Sequence, residues 1–187
     1  MNLIKRPVEK ILRITLSLLL LFTAAGLFAQ QPAVSSVAGG FSRVEADSGY
    51  TFTWKIVGNE IEATMSAPTT GWVAVGFNPT NKMQGATYVI GYVKDGTAQL
   101  RHDWGHSPIG HRAVTDMGGV SRVTLISGRE ENGRTELSFR LPLNPGDQYF
   151  TPIKAGERNT VIWAFGSNNG DNYTAKHTKR GSLVLNF

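Results

Sequence analysis

Apolar and polar positions alternate with a period of two along much of the chain. Tyr50, Phe52, Trp54 and Ile56 are interleaved with Thr51, Thr53 and Lys55, and after Gly58-Asn59 the run Ile61, Ala63, Met65 is interleaved with Glu60, Glu62 and Thr64. Such alternation predicts two half-buried strands joined in a hairpin. Val123 and Leu125, then Leu137, Phe139 and Leu141, predict a second hairpin around Asn132-Gly133, whose residues suit the positive φ angles of a type I′ turn. Residues 71–77 (GWVAVGF), 86–93 (ATYVIGYV) and 160–165 (TVIWAF) are almost continuously apolar. Runs of that length, rich in β-branched and aromatic residues, predict strands buried on both faces. A last strand is expected over 182–187. Residues 30–40 are small and aperiodic and read as a linker. Residues 100–119 are rich in His, Gly and Asp and read as an exposed excursion, and 142–157 and 166–176 read as loops. No amphipathic helix is legible after the first thirty residues. Eight or nine short strands with turn signals between them predict an all-β, antiparallel β-sandwich.

The N-terminus does not fit this pattern. Lys5, Arg6, Lys10 and Arg13 precede an apolar stretch that ends in small residues at Ala29. This is the layout of a secretory signal peptide over residues 1–29, and its apolar run of about 15 residues is short for a membrane span. The domain is then 41–187, after the 30–40 linker, and its location is exported, periplasmic or extracellular. The formal charge of the whole chain is +5. Without the N-terminal segment it falls to about +2, which gives no reason to expect a nucleic-acid partner. The chain has no cysteine. An exported fold of this kind rests on packing alone, and thiolate metal sites and covalent c-type haem attachment are excluded.

The candidate chemistry is sparse. Met83 lies in the polar connection between the two central apolar runs, where a methionine either caps the core or offers a soft thioether ligand. His177 stands between the 166–176 loop and the last strand. His102, His106 and His111 (HDWGHSPIGH) form a second cluster, which could take copper or zinc or be solvated. Asp103, Asp116, Asp147 and Asp171 lie near glycines and read as turn formers rather than paired catalytic carboxylates. No nucleophile elbow or phosphate-binding loop is found; no enzymatic activity is expected, the rival being a copper enzyme built on His102, His106 and His111. Trp104 and Tyr173 are the aromatics best placed to stack on a sugar.

The block GWVAVGF, then Met83-x-Gly85-Ala86, then YVIGYVKDG, resembles the DOMON domain, as do the later ENGRTELSFRLPL, VIWAFG and the closing HTKRG. The resemblance spans 41–187 and implies an Ig-like β-sandwich. DOMON domains occur in relatives of dopamine β-monooxygenase, in the cytochrome domain of cellobiose dehydrogenase and in plant b-type cytochromes. In cytochrome-like members, haem b is bound without covalent attachment by an axial Met and His. Those positions match Met83 and His177. The implied function is single-electron transfer to a redox protein acting in trans. One departure is Thr87, where many members carry Asp. Other members lack haem, which keeps open a haem-free module that binds glycan or another protein.

Overall fold

The computed structural model describes residues 31–187; the expected signal peptide lies outside them. Twelve strands make two antiparallel sheets. They are β1 (Val34–Val37), β2 (Phe41–Glu45), β3 (Thr51–Val57), β4 (Glu60–Ala67), β5 (Val73–Phe77), β6 (Thr87–Lys94), β7 (Thr97–Ser107), β8 (Gly110–Ala113), β9 (Thr124–Glu131), β10 (Arg134–Pro142), β11 (Arg158–Gly166) and β12 (His177–Asn186). Sheet I has the order β1-β2-β3-β4-β10-β9, and sheet II the order β12-β11-β5-β6-β7-β8. The β-sandwich expected from the alternation is the observed fold. Among the described residues, no helix is long and apolar enough to cross a membrane.

The core lies between the sheets. Phe52, Ile61, Met65, Leu137 and Phe139 of sheet I meet Val73, Val75, Phe77, Val89, Val161 and Trp163 of sheet II. Tyr50 and Trp163 stack with ring centroids 4.9 Å apart, and the Tyr50 hydroxyl donates to the Ala74 carbonyl at 3.1 Å. This bond ties the sheets together at the place where β5 begins. The turns follow their residues: Asn132 and Gly133 have φ of 52° and 72°, as a type I′ hairpin requires.

Three segments differ from the sequence reading. Residues 34–37, expected in a linker, form β1, which pairs antiparallel with β2. All four residues of β1 are exposed, so the strand is held by backbone pairing and leaves no hydrophobic alternation to read. The supposed excursion at 100–119 is largely β7 and β8, and His102 and Asp103 within it are buried. The last strand starts at His177 rather than 182, because its exposed first half carries polar side chains on the edge of the sheet.

Candidate functional site

In a two-sheet sandwich the outer face of each sheet is expected to be solvated and polar. Sheet II departs from this. Val73–Phe77 is buried at every position, and five consecutive residues from Thr87 to Gly91 are buried as well. The inward residues belong to the main core. Trp72, Ala74 and Ile90 instead form a separate apolar cluster on the outer face, with Tyr92, Ala164, Tyr173 and Ala175 packed against it. Ala74 and Ala164 are rung partners on β5 and β11, so the middle of this face is a strip of small side chains. Gly76 extends the strip: a Cβ there would meet the Tyr88 ring at 2.6 Å and Ile162 at 3.0 Å.

A polar cluster borders the strip on the β7–β8 side. Asp103 is fully buried and accepts hydrogen bonds from Arg101 Nε at 2.5 Å, Arg101 Nη2 at 2.6 Å and His111 Nδ1 at 2.6 Å. Burial alone would raise its carboxyl. The bonds from His111 and Arg101 and the guanidinium charge outweigh burial and hold it below the usual carboxylate range. Asp103 was expected to be a turn former; it is the buried anchor of this cluster. The Tyr88 ring lies over His111 with centroids 5.3 Å apart, and the Arg101 guanidinium lies 4.0 Å from the centre of the Tyr173 ring. Burial is the main reason that the Tyr173 hydroxyl is pushed up to about 12.

His177 sits at one end of this face. It pairs with Gly166, and a bulge between Phe165 and Gly166 puts it on the same side as Arg180, whose rung partner is Ala164. The Arg180 Nη1 and His177 Nε2 atoms are 3.5 Å apart. Gly166 in turn abuts Trp72, since a Cβ there would meet the indole at 2.5 Å. The end is anchored from below: Thr69 donates to the Gly166 carbonyl, and Thr135 donates to the carbonyls of Thr69 and Gly71, each at 2.9 Å. His177 itself is exposed.

Met83 sits at the other end, half-buried in the connection between β5 and β6. The connection is tied down by Gly85 N–H donating to the Gly105 carbonyl at 2.7 Å, by Thr151 donating to the Gly85 carbonyl at 2.5 Å, and by Met83 N–H donating to the Pro108 carbonyl at 3.4 Å. Gly105 has no room for a side chain, because the Met83 carbonyl occupies that space. Met83 and His177 are therefore not brought together. Counting rungs from His177 opposite Gly166 to Gly105 beyond Trp104 gives about six, roughly 20 Å at ~3.3 Å per residue. Metal–nitrogen and metal–sulfur bonds are each about 2.0–2.3 Å, so one iron does not span that distance as the loops stand.

The three histidines of the β7–β8 region do not converge either. The buried imidazole of His102 packs edge-on against Phe150 and accepts the Arg122 N–H at 3.2 Å. His111 is committed to Asp103, and His106 lies against Gly110. Among the described residues, no group of three or more His, Cys, Asp or Glu side chains is able to hold a metal ion. Of the proposed sugar-stacking aromatics, Tyr173 is packed onto Tyr92 with centroids 5.0 Å apart, and Trp104 makes an edge contact with Tyr149. Tyr173 is therefore not a free platform.

Polar groups without partners complete the picture. Trp72 Nε1, Tyr88 Oη and Asp171 Oδ1 are buried with no hydrogen-bond partner. An unpaired buried donor or acceptor costs about 1–3 kcal/mol. Trp72 and Tyr88 stand on the outer face of sheet II, and Asp171 lies in the loop that packs on it. Sequence reasoning missed this face because only the register of β5, β6, β7 and β11 reveals which apolar residues point outward.

The DOMON domain family model matches residues 46–166. No curated protein matches the chain. Among solved structures, the cytochrome b domain of pyranose dehydrogenase from Coprinopsis cinerea is similar with a TM-score of 0.60 and 15% identity, covering 82% of this chain and 87% of that one. The cytochrome domain of Myriococcum thermophilum cellobiose dehydrogenase is similar with a TM-score of 0.59 and 12% identity, covering 82% of this chain and 86% of that one.

Proposed function

We propose, since this chain belongs to the DOMON domain family, that it is an exported cytochrome-like domain that holds haem b on the outer face of sheet II and passes single electrons to a redox protein. The observation that carries this reading is the apolar strip of Trp72, Ala74, Ile90 and Ala164 on a face that a plain sandwich would leave polar. Within it the rung partners Ala74 and Ala164 would give a flat ring a floor of small side chains. The similarity in fold to two cytochrome b domains supports the same reading.

In this proposal His177 and Met83 are the residues that would hold the haem iron. An iron held by His and Met supplies a one-electron couple of raised reduction potential. The chain's own part is physical. Ala74 and Ala164 would let a ring approach the backbone, and Ile90, Trp72 and Tyr92 would exclude water from its edge. Trp72 Nε1 and Tyr88 Oη are donors without acceptors, placed to meet the polar rim of a ligand. Lys176, Lys179 and Arg180 beside His177 are exposed and make no salt bridge among the described residues, which favours an acidic partner. Because the two side chains stand at opposite ends of the strip, holding one iron between them would require a rearrangement at the Met83 connection or at the start of β12.

The test is an absorbance titration of the purified protein with hemin. The expected result is one equivalent bound, with a sharp Soret band and narrow α and β bands on reduction, lost in His177→Ala and weakened in Met83→Ala. A second reading, a haem-free module that binds glycan or another protein, is favoured by the separation of Met83 from His177. It predicts no Soret band from added hemin and retention on a polysaccharide column.

A further inference from the structure

The two loops that carry the candidate ligands are held in opposite ways. The Met83 connection is hydrogen-bonded to Gly105, Pro108 and Thr151. The 171–176 segment has no such ties. Its hydrogen bonds are internal: Asn172 N–H to the Gly170 carbonyl, and the Asn172 side chain accepting from Thr174 and from the N–H of Ala175. What fixes it on sheet II is Tyr173 against Tyr92 and Arg101, together with Ala175 on the apolar cluster. On this face Trp72 Nε1, which lies against Gly166, and Asp171 Oδ1 are buried and unpaired. The segment runs straight into His177. Its other end is firm, since Asn168 and Asn169 bond Thr70, and Gly71 abuts the Ser167 carbonyl.

We propose that residues 171–176 are a displaceable cover over the strip, with Tyr173 as its plug, and that lifting it bares the strip. This rests on the ring-binding reading above and adds which part of the chain moves. A plug that must leave competes with the ligand, so removing its ring strengthens ligand binding, whereas truncating an ordinary lining aromatic weakens it.

Zinc protoporphyrin, a diamagnetic flat ring, is the probe. The full chain is labelled with 3-fluorotyrosine, and the Tyr173 resonance is assigned by comparison with Tyr173→Phe among the five tyrosines. On ring binding, the Tyr173 resonance should shift to a solvent-exposed position while those of Tyr50 and Tyr149 stay. Tyr173→Ala should bind the ring about tenfold more tightly. A ring bound to the wild-type chain with the Tyr173 resonance unmoved overturns the cover and leaves the ring site standing. Failure of both the wild-type chain and Tyr173→Ala to bind the ring overturns the ring site and the cover with it.

Discussion

Two buried side chains on neighbouring positions of β7 show how much depends on residues that look ordinary. Asp103 is fully buried, while its partners Arg101 and His111 keep side-chain exposures of 29% and 22%. Asp103→Asn removes the charge that both partners face, and the expected loss is about 2–3 kcal/mol, less than for a fully desolvated pair. A lowered urea midpoint with an unchanged slope would show it. His102 gives a pH dependence. Burial lowers its imidazole to about 4 from 6.5; the nearby carboxylates of Asp103 and Asp147 work against this, and Arg122 works with it. Between pH 6.5 and 4 the unfolded chain therefore binds the extra proton, so stability is full above 6.5 and falls by roughly 2–3 kcal/mol toward pH 4. His102→Gln should flatten that window in urea titrations at stepped pH. Neither role was legible locally. Asp103 sits among polar residues near glycines and reads as a turn former, because its partner His111 is eight residues away, across a hairpin that only the fold closes.

At the level of elements, the sequence was readable wherever one rule dominated. The β3–β4 and β9–β10 hairpins were expected from period-two alternation and their Gly58-Asn59 and Asn132-Gly133 turns, and β5, β6 and β11 from their continuous apolar runs. What failed was β1 at one edge of sheet I and β7–β8 at one edge of sheet II. β1 and β8 gain order from pairing with a neighbour rather than from burying a face, and β7 carries polar residues because part of its outward side feeds the Asp103 cluster. The β5–β6 connection is positioned by Gly105, whose missing side chain makes room for the Met83 carbonyl. Gly105→Ala should force that connection off the sheet, with a loss of about 1–3 kcal/mol in stability and weaker hemin binding than wild type. Equal hemin affinity at reduced stability would mean that the connection has no part in the site.

For the molecule as a whole, the sandwich and its family were within reach of the sequence, but the layout of the candidate residues on it was not. Met83 and His177 were marked by motif, yet their places at opposite ends of sheet II follow from strand order and register, which no local pattern encodes. The same register creates the apolar strip between them, so the apolar outer face and the loop that covers it emerge together. The most direct measurement is the absorbance spectrum of the purified protein with one equivalent of hemin, oxidised and then reduced, beside that of His177→Ala. The account predicts a sharp Soret band and narrow α and β bands in the wild-type chain that vanish in the variant. A free-hemin spectrum in both would contradict it.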